Sequence, residues 1–446
     1  MQSRPIGNGA LTARLPREVV ALMDALRLQG ACTDALSELN KVDWENLLEF
    51  SDRAHLTLAL AQMLTSDFPA WVIDRLRRNV ADNAARFERI KTTYQEASSA
   101  LQQAGVPHLV VKGFAQAPDY VTDPRFRMQG DIDLYCPREH IAGAVAALQS
   151  IGYSPDEQID NRFADHAPSM SRPSQWTWRG NLFDPELPLG FDIHFCLWNE
   201  PVNLVSAPGV DQFWERRVVR PNGNLTFSSL NQVDHLAYLA LHILRGVLSG
   251  QGVVHHVLEL ATFLDHHADD DRFWREWETT CPLPLRELQA ISFSLANLWF
   301  ACRCSRAVQA HTDALPPMQK LWLQRFGASP LEAMFRRTKD GRLLQVLLAD
   351  SWAARRRSVW KACIPPFFEG PRSPSVRCWK QKRGRWSLFS HYPAYVCDRI
   401  AVNVAAAAAF LVRGLKMYCS QWTQQQTLAR VVEHKRRREI PETVST

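Results

Sequence analysis

Apolar residues recur three and four apart through Val19–Leu28, His55–Met63 and Ile73–Leu101, with few glycines, and this spacing predicts a helical first hundred residues. The texture changes at Gly105. The apolar run Val106–Val111 reads as a strand, Lys112-Gly113 as the turn leaving it, Asp119–Gly130 as turn-rich chain, and Asp131–Tyr135 as a second strand. Pro137 opens a helix in which Ile141, Val145, Leu148 and Ile151 form one apolar face, with Gly152 at its C-terminal cap. Residues 154–174 are polar and rich in Pro, Ser and Asp, as in a loop or lid, and Gln175–Arg179 and Gly190–Leu197 read as two strands of a hairpin. Ser228 or Ser229 is expected to cap a helix over Gln232–Leu248, and helical spacing continues through Glu259–His267, Phe273–Thr279 and Leu285–Arg303. The pattern predicts an α/β (α+β) chain with a small sheet inside a mainly helical shell. The expected divisions are 1–104 (helical), 105–228 (core), 229–315 (helical) and 316–446 (basic, Pro-containing, with an Ala-rich helix).

Composition narrows the class without naming a function. Apolar residues make up 46% of the chain and charged residues 22%, which excludes disordered, collagenous and coiled-coil chains. The 52 basic and 46 acidic residues leave +6 over 446 residues, too small an excess to argue for a nucleic-acid binder. The ten cysteines are scattered with no Cys-x-x-Cys pair, against a zinc ribbon or thioredoxin-like site. With no secretory pattern at the amino terminus, a reduced, cytoplasmic location is the expectation. The run Val402–Val412 falls well short of the roughly 20 apolar residues a membrane span needs. Residues 355–385, by contrast, carry ten Lys or Arg against the single acid Glu369. That stretch reads as a partly extended segment that is either solvated surface or a peripheral contact for an anionic membrane or polyanion.

The chemistry concentrates in Asp131-Ile132-Asp133. Residues two apart on a strand share a face, so both carboxylates project together. They are either a solvated strand end or ligands of a hard divalent ion such as Mg²⁺, which takes oxygen ligands and shares its shell with phosphate. Context favours the second. Lys112 can meet phosphate as a point charge, Gly113 permits close backbone approach, and Asp192 lies in a later strand-like run with His194 on its face. Three carboxylates from neighbouring strands are what a two-metal phosphoryl-transfer site requires. Arg127, four residues before Asp131, is a solvated loop charge or reaches a donor phosphate.

The segment VVKGFAQAPDYVTDPRFRMQGDIDLYCPREHIAGAVAALQSIGY, followed by FDIHFCLW, resembles the bacterial uncharacterised nucleotidyltransferase family of the polymerase beta superfamily. The matching positions are Lys112, Gly113, Arg127, Gly130, Asp131, Asp133, Leu134, Gly152, Tyr153, Asp192, His194 and Phe195, within a resemblance that covers about residues 50–270. It implies a nucleotidyltransferase core that moves a nucleoside monophosphate from a nucleoside triphosphate to an acceptor hydroxyl and releases pyrophosphate. Asp131, Asp133 and Asp192 would hold Mg²⁺ or Mn²⁺, Asp192 would help deprotonate the acceptor, and Lys112, Gly113 and Arg127 would meet the donor. His194 would orient Asp192 or the acceptor. The acceptor is open among a sugar, a peptide, a metabolite, RNA or a protein. Lys112-Gly113 departs from the Gly-Gly or Gly-Ser usual in the superfamily, and that departure keeps a non-catalytic nucleotide- or partner-binding protein as the alternative.

Other features read as structure. His235, His242 and the pairs His255-His256 and His266-His267 lack a metal-ligand order and are expected at ordinary surface or core positions. Cys302 and Cys304 are expected as buried small groups on a helix, and Trp44, Trp71, Trp274, Trp277, Trp299 and Trp322 as core. Trp176 and Trp178 either pack or stack a nucleobase.

Overall fold

The computed structural model describes residues 15–155, 165–223, 225–336, 338–363 and 404–421. They form two compact units divided between Leu315 and Pro316. The first unit is helical up to residue 103, ending in the 34-residue helix Ala70–Gln103. The expected helix at His55–Met63 is only Thr57–Ala61, and the helix Lys41–Ala54 precedes it. His55 separates the two in a left-handed conformation (φ 57°). The signal for the earlier helix is a capping box in which Asn40 accepts from the backbone of Asp43 and Asp43 accepts from that of Asn40.

A seven-stranded mixed sheet follows, containing β1 (Leu109–Val110), β2 (Asp131–Tyr135), β3 (Ser154–Pro155), β4 (Met170–Ser171), β5 (Gly190–His194), β6 (Val218–Asn222) and β7 (Leu225–Ser229). Its spatial order is β3-β4-β5-β2-β1-β7-β6. At the centre β2 and β5 run parallel, with Asp131 opposite Gly190 and Asp133 opposite Asp192. Two expectations about the sheet fail. Gln175–Arg179 is not a strand: the partner of β5 is β4, and Trp176 is turned away, its Nε1 donating to Asp184 Oδ2 at 3.0 Å and its backbone N–H to Ser174 Oγ. Ser228 and Ser229 do not cap a helix but finish β7, and Asn231 caps Gln232–Ser249 by accepting from the backbone of Asp234.

Alternation along β2 and β5 divides the sheet by chemistry. Ile132, Leu134, Phe191 and Ile193 enter a core with Phe87, Ile90, Tyr94 and Leu101 of the long helix and Ala144, Ala147 and Leu148 of the helix Ile141–Ser150. The acids therefore project from the opposite face, where the helix Gln232–Ser249 brings Tyr238 and Arg245. That helix packs with Val254–His266 and Leu283–Phe300, sealed by hydrogen bonds such as Ser292 Oγ to Ala240 O and Trp277 Nε1 to Gln289 Oε1. Leu283–Phe300 stops short of Cys302 and Cys304, which lie in the loop after it; Cys302 is buried and Cys304 is half-buried. Five of the six tryptophans expected in the core are there, whereas Trp71 is 38% exposed.

In the second unit Asp340 is the polar centre, accepting from Ser329 Oγ and Arg413. The first part of the basic segment, expected as partly extended, is instead the helix Trp352–Cys363; residues 364–385 lie outside the described residues. The Ala-rich helix runs over 404–421. No helix among the described residues is long and apolar enough to cross a membrane.

Candidate active site

The middle of the long helix sets up the site. Arg86 is fully buried and donates to the carbonyls of Gln129 (3.0 Å) and Leu187 (2.7 Å), while Asn83 donates to those of Arg125 (2.6 Å) and Arg127 (3.1 Å). A guanidinium has five donors in a fixed fork, so one side chain holds the entries to both acid-bearing strands. Burial pulls Arg86 down to about 10, still charged at neutral pH.

Because Asp133 and Asp192 are register partners, their side chains leave the same face side by side. Carboxylate oxygens of both and a ring nitrogen of His194 lie within 4.8 Å of one another, a group that can hold a metal ion. Asp131 shares the face but is exposed at the strand's edge. Lys112 Nζ sits 2.5 Å from Asp133 Oδ1, and His194 Nε2 lies 2.9 Å from the same oxygen. Burial alone would raise the Asp133 carboxyl, but Lys112 and His194 outweigh it and hold it far below the carboxylate range. Burial likewise pulls Lys112 down, and the Asp133 charge more than restores it. His194 is raised for the same reason, by Asp133 and Asp165 against burial. Asp131 is the opposite case. The charge of Asp133, and with it that of Asp192, pushes it up to about 6.

The sequence-predicted residues separate here. Asp131, Asp133, Asp192, His194 and Lys112 come together. His194 bonds Asp133 rather than Asp192. Gly113 takes the left-handed conformation (φ +68°), and the space a Cβ would fill is occupied by the side-chain amide of Gln129. Its closest neighbour is thus a side chain of this chain, which donates to Asp131 O at 2.7 Å. Arg127 is neither solvated nor free: its Nε lies 2.6 Å from Glu259 Oε1 and 2.8 Å from Gln116 Oε1.

Four partners escaped the sequence reading. Asp165 lies beside His194, with its Oδ2 3.6 Å from Nδ1, and is ion-paired to Arg245. Ser169 Oγ donates to Asp192 Oδ1 at 2.6 Å. Glu259 neutralises Arg127. All four belong to the polar loop 154–174 or to helices more than fifty residues after Asp192, and no local motif marks them.

A model of a protein family described as "Uncharacterised nucleotidyltransferase" matches residues 40–301, which contain every residue of this site. The chain belongs to that family. No curated protein and no solved structure matches it. Nucleotidyltransferases use nucleoside triphosphates and divalent metals, and the residues here fit such an ion. The donors are carboxylate oxygens on two adjacent strands, and a cation, the Lys112 ammonium, already lies against one of them.

Proposed function

We propose that this chain transfers a nucleoside monophosphate from a nucleoside triphosphate to an acceptor hydroxyl, with release of pyrophosphate, on the face carrying Asp131, Asp133 and Asp192. The observation that carries the reading is the in-register pairing of Asp133 with Asp192, which sets two carboxylates side by side next to a third. It agrees with the family membership and with the resemblance to the polymerase beta superfamily.

Asp131, Asp133 and Asp192 would hold Mg²⁺ or Mn²⁺, which when bound supplies charge neutralisation for the donor phosphates and the leaving pyrophosphate. The chain's own residues divide the remaining work. Lys112 moves from Asp133 to donor phosphate, so that the cation leaving the carboxylate is reused on the substrate. Asp192 accepts the hydroxyl proton of the acceptor, being within hydrogen-bond reach of a hydroxyl already. His194, held between Asp133 and Asp165, keeps the Asp133 carboxylate oriented. Gly113 and Gln129 form the floor of the turn, and Arg127, locked on Glu259, positions the approach to Asp131 rather than binding phosphate directly. The acceptor belongs to a class still to be found among sugars, peptides, metabolites, RNA and proteins.

The contact of Lys112 with Asp133 favours a second reading, a nucleotide-binding protein without catalysis, in which the lysine permanently replaces the metal. One experiment separates the two: each α-labelled nucleoside triphosphate is incubated with Mg²⁺ or Mn²⁺ and a cell extract. Label transfer that is lost in Asp131→Asn/Asp192→Asn supports the enzyme. Metal-independent nucleotide binding with no transfer supports the binder.

A further inference from the structure

Ser169 stands in the relation to Asp192 that an acceptor hydroxyl would take. The register of β4 on β5, Ser171 opposite Gly190 and Met170 opposite Phe191, places Ser169 opposite Asp192. The next pairing, His166 with His194, is shifted by one residue, so the segment 166–170 carries an extra residue against 191–194. Pro168, which has no N–H to give a ladder, lies within that bulge. With Met170 in the core, alternation puts Ser169 on the acid face, where its Oγ donates to Asp192 Oδ1 at 2.6 Å. Both residues are half-buried, open enough for a nucleotide to reach them. The hydroxyl has given its one proton to the carboxylate, which leaves its oxygen lone pairs free.

We propose that Ser169 is a self-modification site, nucleotidylylated by the same centre. The inference rests on the nucleotidyltransferase reading and adds an acceptor to it. The Ser169 oxygen forms a bond to the α-phosphorus, and the bond from that phosphorus to the bridging oxygen of the β-phosphate breaks. Pyrophosphate leaves with the electron pair, and the serine proton passes to Asp192 Oδ1 and on to water. The product is a phosphodiester of the serine, and it covers Asp192 on the acid face. A chain so modified is blocked toward external acceptors.

The full chain is incubated with each of the four nucleoside triphosphates and Mg²⁺ or Mn²⁺, and its intact mass and peptide map are measured. Metal-dependent binding of a non-reacting α,β-methylene triphosphate is measured in parallel. The expected result is a gain of one nucleoside monophosphate less water, mapped to residue 169, absent in Ser169→Ala and retained on the hydroxyl of Ser169→Thr. Wild-type chain that binds the analogue with metal but gains no mass, or gains it at another residue, overturns the proposal while leaving the nucleotidyltransferase reading standing; there Ser169 only orients Asp192. Chain that binds no triphosphate overturns both. Mapping on the wild-type chain decides the matter even where Ser169→Ala fails to fold.

Discussion

At the scale of single residues, the three acids are not equivalent. Asp133 is satisfied twice, by Lys112 and by His194, and replacing it alone would strand a buried ammonium, a loss that typically costs 3–5 kcal/mol for a buried pair. Asp131 is satisfied by neither. The repulsion of Asp133 and Asp192 outweighs the pull of Lys112 and Arg127 on it, and its carboxyl is pushed up to about 6. A carboxyl raised in the folded state holds its proton where the unfolded chain has lost it, so stability falls as pH rises from about 4 to about 6 and stays lower above. Asp131→Asn removes that dependence. The variant is therefore expected to melt higher than wild type at pH 7, with the difference shrinking towards pH 4, while losing metal-dependent nucleotide binding. Melting curves across this range, with and without Mg²⁺ and a triphosphate, check both halves; equal melting temperatures at every pH would refute the repulsion. The alternation of Asp131 and Asp133 with Ile132 and Leu134 was legible from five residues because the period of a strand is two. The ion-pair partners of Lys112 and Arg127 were not, since a sequence shows a charge but not the partner that claims it: Asp133 lies 21 residues from the first, and Glu259 lies 132 residues from the second.

At the scale of elements, long periodic segments such as Ala70–Gln103 and Gln232–Ser249 were readable because many turns repeat the same spacing. The strands β3, β4, β6 and β7 were not recognised. Two of them have only two residues, β6 is an edge strand that contains Pro221, and what fixes β4 is pairing with β5 rather than local propensity. The helices Gln232–Ser249 and Val254–His266 also hide a property no spacing reveals. They carry His235, His242, His255 and His256, all pushed down primarily by burial, and His235, with no exposed surface, reaches about 3, lowered further by Arg220 and partly opposed by Glu259. A histidine held neutral in the fold takes up its proton only on unfolding, so its contribution is intact above its usual value near 6.5 and is lost as pH falls below it. For His235 alone the loss between pH 6.5 and 5 is about 2 kcal/mol. Because Asp131 and His194 shift the other way over the same range, the comparison is with the variant: urea unfolding at pH 7 and pH 5 should show His235→Gln losing less stability than wild type between the two, by a similar amount. An equal pH response of wild type and His235→Gln would mean that this ring is hydrated.

At the scale of the whole molecule, Lys112, Asp165, Ser169, His194 and Arg245, the described partners of the acid face, belong to the unit ending at Leu315, as does the family match over residues 40–301. The second unit carries a surface feature of its own. The helix over 404–421 buries Phe410 and Met417 within that unit but leaves Val404, Leu411, Leu415 and Tyr418 about half or more exposed. These four follow one another at intervals of seven, four and three residues, which places them along a single helical stripe. The helix is too short to span a bilayer, yet such a stripe can lie in an interface, and the chain adds the ten basic residues of 355–385, of which 364–385 lie outside the described residues. Each base near an anionic leaflet contributes about 1 kcal/mol, so a few of them together with the stripe suffice for adsorption that salt reverses. The full chain is accordingly expected to sediment with phosphatidylserine-containing vesicles at low salt and not with neutral ones. Leu411→Glu/Leu415→Glu should weaken that adsorption several-fold, and a chain ending at Leu315 should lose it while still binding nucleotide with metal. Adsorption that survives both changes would locate the membrane contact in the first unit, and adsorption that never occurs would make the stripe a surface for a protein partner or for another part of the chain.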